Sequence, residues 1–196
     1  MNESVFDNGL KFFNNLILKE LNEFTNNGCY IGGGAIRNYF TGIPLKDYSD
    51  IDIWVKNKDA KIKAIEFFNK KNAVLTYSTN HAQMFKLNNK FYDLHYQFYV
   101  EPFEAMKYID MTVSCGMCDG NKFYYPHNYF LHLATRSIIW NSFNGYNIEL
   151  LTQRVQKMVL KGYKLSWEES KRINTEMTRY LININKEAGR DAATAH

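Results

Sequence analysis

The stretch Tyr30-Ile31-Gly32-Gly33-Gly34-Ala35-Ile36-Arg37-Asn38, followed by Ser49-Asp50-Ile51-Asp52-Ile53, decides how this 196-residue chain is read. An apolar strand runs through three glycines into a helix, and two carboxylates alternate along the next strand. Turn glycines let backbone N–H groups approach phosphate oxygens, and the helix that follows offers its positive end. Period-two spacing puts Asp50 and Asp52 on one face of a strand. Such a carboxylate pair suits Mg²⁺, which takes oxygen ligands and is commonly shared between protein carboxylates and substrate phosphates. Together the two halves point to a bound nucleoside triphosphate with its divalent ions. Either half alone is also what a plain turn or a chance Asp-x-Asp would give.

A dinucleotide-binding βαβ unit is the competing reading. It needs Gly-x-Gly-x-x-Gly and an acidic residue roughly 20 positions on. Gly32, Gly34 and Arg37 occupy those three positions, so the last glycine is missing. A ribose hydroxyl also does not need two carboxylates. The dinucleotide reading loses.

Gly33-Gly34-Ala35-Ile36-Arg37-Asn38, then Gly42 and Pro44, then Lys46-Asp47 and Asp50-Ile51-Asp52-Ile53, resembles the head domain of class II CCA-adding enzymes and bacterial poly(A) polymerases. These are members of the DNA polymerase β-like nucleotidyltransferase superfamily, whose pattern is Gly-Gly-x-x-Arg-Asp, a short loop and Asp-x-Asp. Asn38 stands where the family has Asp, and the loop before the carboxylates is slightly longer. The resemblance implies an α+β fold, a polymerase β-like mixed sheet with flanking helices, followed by a short helical neck. It covers about residues 28 to 165, a shortened form of the class II enzymes. The division it implies is a head over residues 1–125 and a neck with a C-terminal helix over 126–196.

The family carries a third carboxylate on a later strand. Phe91-Tyr92-Asp93-Leu94-His95-Tyr96 supplies it, with Asp93 and His95 on one face and Tyr92, Leu94 and Tyr96 on the other. Asp50, Asp52 and Asp93 are therefore the expected catalytic and metal-binding residues, holding two Mg²⁺ (or Mn²⁺) ions. Gly33, Gly34 and Arg37 are the expected nucleotide-binding residues. Lys107-Tyr108-Ile109-Asp110-Met111-Thr112 resembles the family's Arg-Arg-Asp-Phe-Thr segment, which adds Asp110 as a sugar contact, or else as a turn cap. Tyr108 and Ile109 replace the two arginines.

Helices are expected over Val5–Phe24, with Phe12, Leu16 and Ile17 toward the core, from Gly34, over Lys58–Lys70, over Asn128–Trp140, over Leu150–Gly162, and from Trp167 to about Ile184. The basic residues of Lys58–Lys70 read as a solvated face. Strands are expected at Cys29–Gly32, Ile51–Lys56, Ala73–Tyr77, Gln83–Leu87 and Lys90–Tyr99, with Asn88-Asn89 as a turn and His81 as a loop residue. Asp119-Gly120-Asn121 reads as a hairpin turn between Met111–Val113 and Lys122–Tyr125, which makes Cys115 and Cys118 structural rather than a zinc or redox pair. Leu150–Gly162 resembles the family's neck helix, and its basic side suggests Arg154 and Lys157, with Arg136 upstream, as RNA-binding residues. No good match to the family's base-reading Glu-Asp-x-x-Arg is present, Glu149 being the nearest carboxylate.

Composition agrees: hydrophobic residues at 45% supply a core, 16% aromatic argues against disorder, and a net charge of +4 is compatible with nucleotide or RNA partners. With no transmembrane-length apolar run and no signal peptide at Met1-Asn2-Glu3-Ser4, the expectation is a cytoplasmic enzyme without a membrane partner. The resemblance implies an NTP substrate and transfer of a nucleoside monophosphate to an acceptor hydroxyl. A 3′ end of tRNA or another RNA is the first candidate acceptor, with a partner subunit or homo-oligomer aiding the grip. Two alternatives stay open: a small, toxin-like nucleotidyltransferase modifying a protein or small molecule, and a catalytically inactive nucleotide-binding module.

Overall fold

A computed structural model describes residues 3–6, 18–43, 50–97, 101–142 and 148–194. Its centre is an eight-stranded mixed sheet. The strands are β1 (Glu3–Phe6), β2 (Cys29–Gly32), β3 (Asp50–Val55), β4 (Val74–Ser78), β5 (Ala82–Leu87), β6 (Lys90–His95), β7 (Met117–Cys118) and β8 (Phe123–Pro126). Their order is β1-β8-β7-β2-β3-β6-β5-β4. Every neighbouring pair is antiparallel except β3 and β6, which run parallel. The helices are α1 (Leu18–Asn26), α2 (Gly33–Phe40), α3 (Lys58–Lys70), α4 (Pro102–Met106), α5 (Tyr129–Ala134), α6 (Ile148–Leu160) and α7 (Trp167–Thr194). No helix among the described residues is long and apolar enough to cross a membrane.

Alternation in β3 and β6 creates two unlike faces. Ile51, Ile53 and Val55 are buried, as are Tyr92 and Leu94, and Ile53 sits opposite Leu94. This face takes α1 and α3, where Phe68 stacks on Phe85 with ring centroids 4.2 Å apart and Phe24 packs at 5.2 Å from Phe68. Fully burying side chains of this size contributes about 1.5–3 kcal/mol each. α3 starts where Asn57 Oδ1 accepts the Ala60 N–H at 2.9 Å, a cap typically worth ~1 kcal/mol. The opposite face carries Asp50, Asp52, Trp54, Asp93 and His95. One pattern therefore fixes both the core and the polar face above it.

Some expected boundaries move. Val5 and Phe6 lie in β1, opposite Tyr124 and Phe123, and the helix begins only at Leu18; Phe12, Leu16 and Ile17 lie outside the described residues. The strand expected over Lys90–Tyr99 ends at His95 within the described residues. The helix expected over Asn128–Trp140 stops at Ala134. Arg136 turns into the left-handed region at φ 50°, and the segment after it runs extended, bridging Ser137 to Lys164 and Met111 to Trp140. The β-branched pair Ile138-Ile139 favours that conformation over a helix. The hairpin at Asp119-Gly120-Asn121 exists, but its first arm is Met117–Cys118, because Thr112–Ser114 forms a 3₁₀ turn. Cys29, Cys115 and Cys118 are free and buried, and burial pushes the Cys29 and Cys118 thiols up to about 12, which makes them inert.

α6 and α7 are tied to the head. Gly162, at φ 81°, ends the helical turn after α6. Ile138 N–H then donates to Lys164 O at 2.8 Å, and Lys164 N–H to Arg136 O at 2.7 Å. Buried Glu169 of α7 accepts the Trp140 N–H at 2.6 Å and the Arg172 Nε–H at 2.9 Å. A buried carboxylate with both a backbone donor and a guanidinium is compensated, so this clamp fixes the start of α7 against the Trp140 segment.

Candidate active site

The polar face of β3 and β6 floors a cleft of ≈ 320 Å³. Its walls come from the start of α2, from the segment between α4 and the 3₁₀ turn, and from one side of α6. The parallel register sets Asp52 opposite Asp93, and Trp54 opposite His95. One oxygen from each of Asp52 and Asp93 and one ring nitrogen of His95 lie within 4.8 Å of one another. Asp50, two residues before Asp52 on the same face, is more exposed and stands 3.9 Å from Lys157 Nζ.

The glycines serve Asp52 directly. Gly33 adopts φ 64°, and a Cβ placed there would fall 1.9 Å from Asp52 Oδ2. Only glycine fits that backbone and that space. Gly34 N–H, at the start of α2, donates to Asp52 Oδ2 at 3.3 Å. Gly32 caps α2 without a side-chain bond, so the positive end of the helix faces the carboxylate.

Desolvation works against the charged form of Asp52, but the His95 hydrogen bond, the His95 charge and the Gly34 N–H outweigh it and hold the carboxyl below its usual range. Asp93 goes the other way. Its burial, with the charges of Asp52 and Asp50 and against the pull of His95, raises it. Desolvation opposes the charged imidazole of His95 too, yet Asp52 and Asp93 raise it on balance. Two carboxylates in one cleft are thus pushed apart in basicity, a pattern common at catalytic sites.

The far wall is cationic. Arg37 is buried, and among the described residues its guanidinium donates to Ser114 Oγ at 3.0 Å and Asn38 Oδ1 at 3.3 Å, both neutral acceptors. Asn38 thus holds Arg37 without cancelling its charge, as the Asp usual in the resembled family would. Beside it, burial and the neighbouring charges of Arg37 and Lys157 bring Lys161 down to about 8. Arg154 Nε lies 3.6 Å from Asp110 Oδ2, while Asp110 Oδ1 accepts the Met111 N–H at 2.8 Å, so Asp110 both caps a turn and reaches the cleft.

Nine of the ten expected residues therefore meet in one place: Gly33, Gly34, Arg37, Asp50, Asp52, Asp93, Asp110, Arg154 and Lys157. Arg154 and Lys157, expected to contact RNA, line the cleft and stay about half exposed. Arg136 does not join them; it stands at Gly162, where a Cβ would meet its Nη1 at 2.9 Å. Sequence reasoning gave no role to Trp54, His95, Ser114 or Lys161, which also line the cleft. Their signals were present: Trp54 and His95 follow the carboxylates at period two, and Lys161 follows Arg154 and Lys157 at helical spacing.

A glycine turn into a helix, a carboxylate pair and a third carboxylate on a parallel neighbour define a nucleotidyltransferase fold, and solved structures bear this out. A CCA-adding enzyme in an apo form matches with a TM-score of 0.64 at 16% identity over 91% of this chain and 47% of its own. A CCA-adding enzyme with CTP matches at 0.61, 15% identity, 91% and 48%. The Thermotoga maritima CCA-adding enzyme complexed with tRNA matches at 0.60, 15% identity, 90% and 46%. The chain spans under half the length of these enzymes, and at such identities the likeness is one of fold. By sequence, residues 4–136 match the profile of the Gabija anti-defense 2 family, and the chain belongs to that family. A search of curated proteins gives no match.

The glycine geometry yields a test. Gly33→Ala forces a left-handed alanine into Asp52 and is expected to destabilise the protein by about 1–3 kcal/mol. Gly34→Ala meets only the flexible tip of Arg37 at 3.2 Å, so it is expected to be neutral or slightly stabilising through helix propensity. Urea unfolding of both variants measures this, and equal losses would contradict the assigned role of Gly33.

Proposed function

We propose that this protein is a metal-dependent nucleotidyltransferase that moves a nucleoside monophosphate from an NTP to an acceptor hydroxyl. One observation carries the reading: Asp52 and Asp93 stand in register on the floor of a cleft that also holds a helix N-terminus, buried Arg37 and half-buried Lys161. A triphosphate matches that polarity, with anionic oxygens toward the cations and its ions toward the carboxylates.

The donor set fits Mg²⁺ or Mn²⁺, since Asp50, Asp52 and Asp93 offer carboxylate oxygens at one end of the cleft. When bound there, two such ions would neutralise the triphosphate and lower the pKa of the attacking hydroxyl. The chain's own residues do the rest. Gly33 and Gly34 leave the start of α2 open to phosphate oxygens. Arg37, Lys157 and Lys161 hold the β- and γ-phosphates, and Arg154 with Asp110 reaches the nucleoside end. The acceptor oxygen bonds to the α-phosphorus as the bond to the β-phosphate oxygen breaks, and pyrophosphate leaves. Asp93 would hold the ion that activates the attacking hydroxyl, whose proton passes to solvent.

The family name points to action against a defence called Gabija, so the acceptor we favour is a component of that defence. A second reading, a tRNA or other RNA 3′ end, draws on the CCA-adding neighbours, one of them solved with tRNA; exposed Arg136 would then meet an acceptor phosphate. In either case the setting is the cytoplasm, where NTPs and both acceptors reside.

Each labelled NTP, with Mg²⁺ or Mn²⁺, should be incubated with purified Gabija components and separately with total RNA. Label is expected on a Gabija component, and Asp52→Asn should lower transfer more than about a thousandfold, the loss of several kcal/mol of charge stabilisation. Label on RNA 3′ ends would favour the second reading. No pyrophosphate release with any acceptor would overturn the assignment.

Lys161 supplies an independent check on triphosphate binding. At pH 8 a group titrating at about 8 is half protonated, and a phosphate beside it raises its pKa. Binding should therefore take up protons at pH 8 and weaken as pH rises through that value. Calorimetry in buffers of different ionisation enthalpy is expected to show more proton uptake by wild type than by Lys161→Met. Identical uptake by the two would remove Lys161 from the phosphate site.

A further inference from the structure

His95 is the polar residue of the cleft floor that the transfer chemistry above leaves without a task. It sits two residues after Asp93 on β6, so the pleat aims it at the same face as both carboxylates. Its Nε2 lies 3.4 Å from Asp52 Oδ1 and 3.6 Å from Asp93 Oδ2. The Asp52 contact is a long hydrogen bond and the Asp93 separation lies just beyond that range, so the nitrogen converges on both oxygens. The ring is also held from outside. Trp54, its in-register neighbour on β3, stacks on it with centroids 4.5 Å apart and planes 23° from parallel. An imidazole steered only by one carboxylate would not need both a stacking partner and a second oxygen at nearly equal distance.

We propose that His95 Nε2 is a third ligand in the ion site formed with Asp52 and Asp93, and that this nitrogen makes the site favour a first-row divalent ion over Mg²⁺. The inference rests on reading the cleft as a metal-dependent transfer site. Mg²⁺ prefers oxygen donors, dehydrates reluctantly and usually keeps several waters, so it gains little from an imidazole. First-row ions accept imidazole readily, and a mixed nitrogen and carboxylate set is native to them. Mn²⁺ is the test case, being at home with carboxylates and phosphates and able to take a nitrogen. The stacked Trp54 pre-orients the ligand, as outer-sphere partners of metal-bound histidines do.

Electron spin echo spectroscopy on the full chain with Mn²⁺, prepared with and without ¹⁵N-histidine, reads the ligand directly and needs no variant. A histidine nitrogen coupling that changes with the label is expected. Competition titrations should show Mn²⁺ bound more tightly than Mg²⁺. His95→Gln should weaken Mn²⁺ by at least the roughly 10–100-fold that loss of an outer-sphere partner costs, with little change for Mg²⁺. Asp52→Asn separates the two levels of the claim. Mn²⁺ binding that depends on Asp52 but shows no nitrogen coupling would overturn the role of His95 and leave the transferase reading standing. No Asp52-dependent binding of either ion, with NTP present, would overturn both.

Discussion

The parallel pairing of β3 with β6 is the constraint on which this molecule depends. All other strand neighbours are antiparallel, and this one junction sets Asp52 level with Asp93 and Trp54 level with His95. A slip of β6 by one residue would exchange its faces, sending Leu94 into the cleft and Asp93 into the aromatic core. The hydrophobic seam of Ile51, Ile53, Val55, Tyr92 and Leu94 under α1 and α3 therefore does two things at once. It stabilises the sheet, and it fixes the separation of the groups that give the cleft its chemistry.

Concentrating carboxylates on one floor is costly in the absence of a cation, and the structure shows how the cost is spread. Asp52 is relieved by the Gly34 N–H and by His95, while Asp93 is left with a raised pKa and Asp50 stands by Lys157. Opposite them, Arg37 is buried between two neutral acceptors, and Lys161 loses part of its hold on its proton. Carboxylates and cations thus share one cleft, and two pairs already meet within it, Asp50 with Lys157 and Asp110 with Arg154. A ligand that is itself a string of anionic groups carrying divalent ions relieves both sets of charges together.

Much of this was legible in the sequence because it is local and periodic. The Gly33-Gly34 turn, the alternation of Asp50 and Asp52, and Asp93 in its apolar strand each announce themselves within a few residues, and together they specified the fold. What escaped was decided by tertiary contacts. Val5 and Phe6 join the sheet because β8 presents an edge to them, which nothing near residue 5 reveals. The Asn128–Trp140 helix breaks at Arg136 because the chain must turn to pair with Lys164. Arg154 and Lys157 carry the charge expected of an RNA-facing helix, and both line the cleft that holds the carboxylates, a placement set by how α6 packs over the sheet. His95 was placed on the right face by periodicity, while its partnership with Asp52 depends on strand pairing across 43 residues.

The chain thus belongs to one family by sequence and shares its fold with enzymes of another. The cleft brings carboxylates and cations together, the polarity that the proposed nucleotide and its ions require. A crystal structure with a non-hydrolysable NTP and Mn²⁺ tests the account most directly. Anomalous density between Asp52 and Asp93, with the triphosphate lying along the start of α2 toward Arg37 and Lys161, is the predicted result. Nucleotide bound elsewhere, or a cleft without an ion at those carboxylates, would contradict it.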